Sequence, residues 1–208
     1  MISSALADLY FPLTANQGSG YQEFEACPAL KPCIRCFWVY TDQRDQIVIP
    51  DTCMDIILRT DQSGKTDVFF CGINDFTFTS KNDEAHPGER LIGIRFHFWA
   101  VASFCRGSLK AVRNTQDQLE FYFPGWAEAL IESFNEAANL EELWPKWETF
   151  LLDQQHENPI PPVIDRAAEI IIRRKGVLSI KELAAELGID QRWMERRFLD
   201  SYGVSCKR

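Results

Sequence analysis

The sequence predicts an α+β protein, with an N-terminal antiparallel β-barrel and a helical segment followed by a small all-α domain. Three observations support this prediction: alternating apolar runs between residues 20 and 105, apolar residues at helical spacing from Trp126 onward, and a proline-rich break before residue 163. With 208 residues, 46% of them hydrophobic, the chain is long enough to bury a sizeable core. Its ordinary composition excludes disordered and fibrous proteins.

Strands account for about residues 20–105, because apolar and polar residues alternate there. The clearest run covers residues 91–98, in which every second residue is apolar: Ile92, Ile94, Phe96 and Phe98. Shorter apolar runs lie at 47–49, 54–58, 68–71 and 76–78. Turn-forming pairs such as Pro50-Asp51 separate these runs. Several short strands with regular turns are typical of an antiparallel sandwich or barrel.

Helices are expected at about residues 125–152. Two sets of apolar residues recur there at helical spacing, namely Leu130, Phe134 and Ala137, and then Leu143, Trp147 and Leu151. Asn139 suits the N-cap of a helix that begins at Leu140, and Pro145 leaves open whether the segment forms one helix or two. We assign this segment to self-association and therefore expect a homodimer.

Residues 154–162 are predicted to form a linker, because they are polar, contain three prolines and lack periodicity. The charge balance changes sign at the same place. The whole chain has a net charge of −8, whereas residues 1–162 carry −11 and residues 163–208 carry +3. This asymmetry is typical of an acidic domain joined to one that binds nucleic acid. The expected domains are therefore 1–153, for sensing or dimerisation, and 163–208.

The C-terminal domain has the spacing of a helix-turn-helix unit. Ser179 and Glu182 form a capping box for the first helix, Gly188 supplies the positive φ of the turn, and Asp190 caps the second helix. We expect a set of small and apolar residues to hold the two helices together: Leu183, Ala184, Gly188, Met194 and Phe198.

The exposed face of the second helix is expected to contact DNA. In a recognition helix the N-terminal residues reach base edges in the major groove, where arginine pairs with guanine and glutamate accepts from cytosine. The alternative is that these charges form an ordinary solvated helix face. The expected DNA-binding residues are Gln191, Arg192, Glu195 and Arg196.

Residues 179–205 resemble the first DNA-reading unit of AraC-type transcriptional regulators. The residues that carry the resemblance are Ser179, Ile180, Leu183, Ala184, Gly188, Ile189, Asp190, Arg192, Met194, Arg196, Phe198, Gly203, Val204 and Ser205. The family usually has proline after that last serine, where this chain has Cys206. Family members continue into a second helix-turn-helix, whereas this sequence ends at Arg208. The resemblance therefore implies a DNA-binding domain cut short after its first unit.

The N-terminal part is similar, less specifically, to the sensor half of one AraC-type subgroup. The shared motifs are Pro28-Ala29-Leu30, Phe37-Trp38, Ile49-Pro50-Asp51, Asp55-Ile56-Ile57 and Gly93-Ile94-Arg95-Phe96. Thr52 stands where the subgroup commonly has glycine. Such halves are cupin-like barrels that bind a small-molecule effector or dimerise, so the resemblance implies a regulator controlled in one of these ways. The candidate effector pocket comprises Trp38, Phe96, His97 and Phe98, with plain core packing as the alternative.

The sequence also contains cysteines and histidines that we considered as redox or metal sites. Cys33-x-x-Cys36 is open to three interpretations, namely buried thiols, a redox pair or part of a metal site, and no second pair of this spacing completes a zinc site. His86 and His97 with Asp51 or Glu89 barely supply a cupin-type metal site, and His156 lies in the linker. We therefore predict no metal, no other cofactor and no catalytic residue. The competing class is a cupin-like metal-dependent enzyme, or a redox or metal sensor, whose C-terminal helices serve as an oligomerisation module.

The expected location is the cytoplasm. No run of about 18 apolar residues predicts a membrane-spanning helix, so no membrane partner is expected. The segment from Met1 to Leu13 lacks basic residues and does not resemble a secretory signal. Seven cysteines, an odd number, are most simply explained as reduced thiols.

Overall fold

A computed structural model of the protein describes residues 7–10, 20–41, 45–80, 90–157 and 159–207. These residues form eight strands and five α-helices. The strands are β1 (Tyr21–Phe24), β2 (Ile34–Tyr40), β3 (Gln46–Val48), β4 (Met54–Thr60), β5 (Thr66–Cys71), β6 (Phe78–Ser80), β7 (Arg90–Phe96) and β8 (Gln116–Gln118). The helices are α1 (Trp126–Glu136), α2 (Leu140–Gln154), α3 (Pro162–Arg173), α4 (Ile180–Leu187) and α5 (Gln191–Tyr202). The mixed α+β class is confirmed. None of the described helices is long and apolar enough to cross a membrane.

The expected β-barrel is wrong, because the sheet stays open. Six strands pair in the order β1-β2-β7-β4-β5-β8, with every neighbouring pair antiparallel, while β3 and β6 form a separate two-stranded sheet. β1 and β8 lie at the two edges of the large sheet and do not pair with each other. Alternation within a strand indicates that one face is buried, but it does not specify whether strands or helices cover that face.

Helices cover the apolar face of the large sheet. The side chains on this face include Phe37, Val39, Ile56, Leu58, Phe70, Ile92, Ile94 and Phe96. Trp144 of α2 stacks on Phe37 with ring centroids 5.1 Å apart, and Trp126 of α1 packs against Phe123 with centroids 4.8 Å apart. The core therefore lies between one sheet and two helices, so no closed barrel is needed to exclude water.

A β-bulge in β2 determines which residues face away from this core. Pairing with β7 shifts between Ile34 and Cys36, so Arg35 is the extra residue. Without the bulge, Ile34 and Cys36 would lie on the same face, since alternate residues of a strand do so. The shift instead places Cys36 with Trp38 and Tyr40 in a second, smaller cluster.

The helical segment forms two helices, and Asn139 caps the second as predicted. Its side-chain oxygen accepts a hydrogen bond from the Glu142 amide at 3.0 Å. Pro145 lies inside α2. The predicted apolar stripe is largely buried within the chain, because Leu130, Leu143, Trp147 and Leu151 all lie in the main core. Self-association through this segment remains a prediction.

The three C-terminal helices pack against the sheet half of the chain. Phe98, just after β7, meets Tyr202 of α5 with ring centroids 5.3 Å apart. Along the predicted linker, the His156 amide donates to the Ser103 carbonyl at 2.9 Å and Ile160 is buried with 5% exposure. A single hydrophobic cluster accordingly extends from the sheet into the three helices.

Candidate functional site

α4 and α5 meet at a tight turn centred on Gly188. The Ser179 hydroxyl accepts from the Glu182 amide at 3.4 Å at the start of α4, and Gly188 ends α4 with a φ of +66°. The Asp190 carboxylate caps α5 by accepting from the Trp193 amide at 2.8 Å. These caps and the turn conformation are confirmed at the predicted positions, while the helix-turn-helix assignment itself stays a prediction.

The residues expected to hold the two helices together are buried. Leu183 and Met194 are fully enclosed, and Ala184 and Phe198 are nearly so. α3 joins the pair through the Tyr202 hydroxyl, which donates to the Asp165 carboxylate at 2.8 Å. The three helices thus form one packed group that supports the outer face of α5.

The outer face of α5 carries the four residues expected to contact DNA. Arg192 and Arg196 are exposed, whereas Gln191 and Glu195 are half-buried. The Gln191 amide donates to the Glu195 carboxylate at 3.0 Å, and Lys207 forms an ion pair with the same carboxylate at 2.9 Å. These two partners lower the pKa of Glu195, the hydrogen bond from Gln191 contributing most. Glu195 therefore stays ionised and occupied by neighbours.

The acidic residues on α5 have cationic partners of their own. Asp200 pairs with Lys110, 3.7 Å away, as Glu195 does with Lys207. Within the described part of the chain, the side chains of Arg192 and Arg196 form no ion pair and no hydrogen bond. The net local charge of this face is consequently positive, although the chain as a whole is acidic.

The structure does not bring the four candidate effector-pocket residues to one place. Trp38 lies on the outer face of the sheet with Cys36 and Tyr40, whereas Phe96 is enclosed in the core on the opposite face. His97 and Phe98 follow the end of β7 and are almost completely buried. Strand alternation separates Trp38 from Phe96, so these residues do not line a common pocket.

His97 is a neutral core residue. Its ring stacks on Trp99 with centroids 4.3 Å apart, and its Nδ1 has no hydrogen-bond partner among the described residues. Burial, with a smaller contribution from the charge of Arg35, lowers the pKa of His97 to about 4. At neutral pH the imidazole therefore carries no charge.

A charged cluster occupies the outer face of the sheet; we call it the Arg95 cluster, and it comprises Arg95, Asp51, Asp55, Trp38 and Tyr21. Arg95 donates to both carboxylate oxygens of Asp55, at 3.0 and 3.2 Å, and lies 3.5 Å from Asp51. The Trp38 indole donates to Asp55 at 2.9 Å, and Arg95 also reaches the Tyr21 hydroxyl at 3.4 Å. The strand order β2-β7-β4 brings these residues together, since Arg95 lies opposite Cys36 on one side and Asp55 on the other.

Among the described residues, Arg95 is the only cation paired with the two carboxylates of this cluster, Asp51 and Asp55. With both carboxylates ionised, the cluster therefore has a net charge of −1. The bidentate contact goes to Asp55, the stronger geometry for an arginine–carboxylate pair. Burial raises the pKa of Asp51, despite the opposing effect of Arg95. Protonation of Asp51 would therefore leave the Arg95–Asp55 pair in place.

Of the Arg95 cluster, Trp38 was expected in an effector pocket and Asp51 was considered as a metal ligand, whereas Arg95, Asp55 and Tyr21 were not expected site residues. The sequence nevertheless carried a signal for two of these three. Asp55 and Arg95 interrupt apolar runs, and charged residues inside buried strands are seldom left unpaired. Both also belong to the motifs shared with the AraC-type sensor subgroup. Which charged residues meet depends on strand order, which periodicity does not encode.

Three thiols near Arg95 are held in the protonated form. Burial raises the pKa of Cys36 and of Cys71 to about 12, and it raises that of Cys53 as well. All seven cysteines are free, and Cys33 accepts a hydrogen bond from the Gln155 side chain at 3.4 Å. Because the thiolate is the reactive form, these buried thiols are poor redox groups.

The metal hypothesis involves residues that the structure only partly describes. His86 and Glu89 lie outside the described residues, and His97 is buried beside Trp99. Within the described ranges, no group of three or more histidine, cysteine, aspartate or glutamate residues is arranged to hold a metal ion.

The comparisons with known proteins locate one domain. Residues 22–117 match a family described as a domain of unknown function, DUF6597. The DUF6597 segment extends from β1 to β8 and contains Asp51, Asp55 and Arg95, whereas all five α-helices lie outside it. No curated protein and no solved structure matches the chain.

Proposed function

We propose that the protein is a sequence-specific DNA-binding transcriptional regulator of the AraC type. In this proposal α5 is the recognition helix, and the sheet half controls it by binding an effector or by dimerising. The observation that carries the proposal is the α4–Gly188–α5 arrangement, whose caps and buried residues fall at the positions of the AraC-type pattern. DUF6597 domains occur in AraC-like regulators, which supports the same assignment for the N-terminal half.

The charge of α5 also supports the proposal. Arg192 and Arg196 lie one helical turn apart on the exposed face, and an α-helix fits into the major groove of DNA. Ion pairs with Lys207 and Lys110 offset the acidic residues of the helix. Arginine is suited to bidentate contact with guanine, and two unpaired arginines can engage bases or phosphates.

The proposal is tested with the full chain and DNA taken from upstream of its gene. We expect binding that weakens as salt rises, because phosphate contacts release counterions. Replacing both Arg192→Ala and Arg196→Ala should weaken binding by about 100-fold, since each base contact is worth about 1–3 kcal/mol. Fluorescence anisotropy at several salt concentrations measures both effects.

A charge-matched double variant is the control for this experiment. Lys31→Ala with Lys65→Ala removes the same charge from exposed positions in the sheet half and should leave affinity nearly unchanged. Equal affinity of the wild type and the Arg192/Arg196 double variant would falsify the recognition-helix assignment. Equal losses in both double variants would mean that net charge alone drives binding.

A further inference from the structure

A cavity of about 400 Å3 lies between the sheet half and the three C-terminal helices. Ile171 and Ile172 of α3 and Phe198 of α5 line it from the helical side. Thr52 and Phe98 line it from the sheet side. Its volume falls in the range of small-molecule sites, which are usually lined by apolar side chains with a few polar groups.

The lining of this junction cavity includes one cationic side chain and a few uncharged polar groups. Lys175, two residues past the end of α3, is the only charged side chain among the described lining residues, and it is exposed. It forms no ion pair within the described part of the chain. The remaining polar lining groups are uncharged, namely the hydroxyls of Thr52 and Tyr10 and the Cys206 thiol. The cavity therefore favours an apolar body with an anionic end over a cation.

A strained residue on the cavity wall is a second, independent observation. Thr52 has a φ of +54°, a left-handed conformation that is costly for a β-branched side chain. The Tyr10 hydroxyl holds this turn by donating to the Asp51 carbonyl at 2.7 Å, and it also shares a hydrogen bond with the Thr52 hydroxyl. Retained backbone strain of this kind concentrates at ligand clamps and switch regions.

The strained turn also connects the cavity to the Arg95 cluster. Thr52 faces the cavity, while the side chain of the preceding residue, Asp51, lies 3.5 Å from Arg95. The Asp51 carboxylate also accepts from the Cys53 amide at 2.9 Å, which fixes the other side of the turn. Thr52 therefore lies next in the chain to a residue that pairs with Arg95.

We propose that the junction cavity binds a compact, largely apolar monocarboxylate, with its apolar body between α3 and Phe98 and its carboxylate at Lys175. Such a ligand contacts the sheet half and the helical half at once, so it stabilises one relative placement of the two. That regulatory consequence rests on the proposed function, whereas binding itself does not. Of the four residues that the sequence suggested as a pocket, only Phe98 lines this cavity.

The probe is 1-naphthoate, with 1-naphthylmethylamine as its cationic counterpart, and calorimetry measures both without DNA. We expect the carboxylate to bind, and the amine to bind several-fold more weakly. Ile171→Trp fills the cavity and should weaken 1-naphthoate binding by about 10-fold or more. Lys175→Met should remove most of the preference for the carboxylate, because it keeps an unbranched apolar side chain of similar size and removes the charge.

Val163→Trp is the matched control, because it adds the same side chain at another half-buried position of α3 outside the cavity lining. It should bind 1-naphthoate as the wild type does. If Ile171→Trp fails to unfold cooperatively, NMR of isoleucine methyl groups in the wild type replaces it, with shifts expected at Ile171 and Ile172. The proposal is overturned if 1-naphthoate does not bind, if it binds Ile171→Trp unchanged, or if the shifted methyl belongs to Ile57 near Trp38. Because no DNA is present, loss of the proposed DNA binding leaves this result intact.

Discussion

Two buried ionisable side chains, Arg95 and His97, have opposite charge states. Arg95 lies on β7, and His97 directly follows the end of that strand. Arg95 keeps its charge because two carboxylates surround it, and the Asp55 pair is bidentate. His97 has no acidic partner among the described residues, so burial lowers its pKa to about 4 and it stays neutral. Alternation sends Arg95 to the outer face, while the chain turns at His97 into the core.

The neutral state of His97 makes stability dependent on pH. The unfolded chain binds a proton at the ordinary pKa of 6.5, whereas the folded chain resists protonation down to about 4. Between these values the unfolded state holds more protons, so stability is complete above pH 6.5 and falls as pH falls. The loss should approach about 3 kcal/mol near pH 4.

His97→Phe should flatten that dependence, because phenylalanine can stack on Trp99 and does not titrate. Urea unfolding at a series of pH values gives the free energy of unfolding of the wild type and of the variant. The difference between the two isolates His97, because Asp51 is present in both proteins. His156→Phe, at an exposed position, should keep the wild-type slope. An unchanged slope in His97→Phe would show that the core histidine does not resist protonation.

At the scale of elements, β7 is built around a glycine that admits a tryptophan. The Trp38 indole lies directly over Gly93, so that a Cβ added there would come within 2.1–2.4 Å of three indole atoms. This contact lets the indole lie flat on the sheet and donate to Asp55. Gly93 thus has a packing role that strand propensity would not reveal, since glycine ordinarily weakens a strand.

Gly93→Ala should displace Trp38 and cost about 1–3 kcal/mol, as other overpacked sites do. The near-ultraviolet circular dichroism of the tryptophan should change with it. Gly64→Ala is the control. Gly64 lies between β4 and β5 of the same sheet, and an added Cβ there would have no atom within 4 Å. Its cost should come only from its left-handed backbone, and its tryptophan signal should match the wild type. A wild-type signal in Gly93→Ala would contradict the close approach of Trp38.

At the scale of the whole molecule, the sheet half and the C-terminal helices form one core. The C-terminal end of α5 is pressed against the turn at residues 109–112, where Lys110 pairs with Asp200. Gly203 lies at this contact with a φ of +74°, and an added Cβ would come within 2.4 Å of the Val112 side chain and 2.6 Å of the Leu109 carbonyl oxygen. The two halves on either side of the predicted linker therefore pack directly against each other.

Gly203→Ala should loosen the two halves and cost about 3 kcal/mol, combining the left-handed penalty with the clash. Proteolysis should then accelerate within the predicted linker, in which the His156 amide donates to Ser103 and Ile160 is buried. Gly188→Ala is the matched control, because it also replaces a left-handed glycine at the end of a helix but meets no atom within 4 Å. Equal cleavage rates in the two variants would mean that Gly203 does not hold the halves together.

The local features of the helical half were predictable because their causes are local. Ser179, Gly188 and Asp190 act within three or four residues of their own positions, so caps and turn follow from spacing alone. The same holds for Asn139 at the start of α2. In the large sheet, alternation predicted β7 and short apolar runs predicted β4 and β5, whereas β1, β2 and β8 matched no named run, and β8 lies beyond the predicted strand region. Phe98 was expected in the last strand, but β7 ends at Phe96 and the chain turns.

The sequence by itself determined the mixed α+β class, the sites of helix start and stop, and an exposed arginine pair on α5. Only the tertiary structure decided that the sheet is open, that Trp38 and Phe96 lie on opposite faces, and that Asp51, Asp55 and Arg95 meet. The junction cavity was likewise invisible in the sequence, because its walls come from segments far apart along the chain, such as those of Thr52, Phe98 and Ile171. Periodicity specifies how much of an element is buried, whereas strand order and packing between distant segments decide what it is buried against.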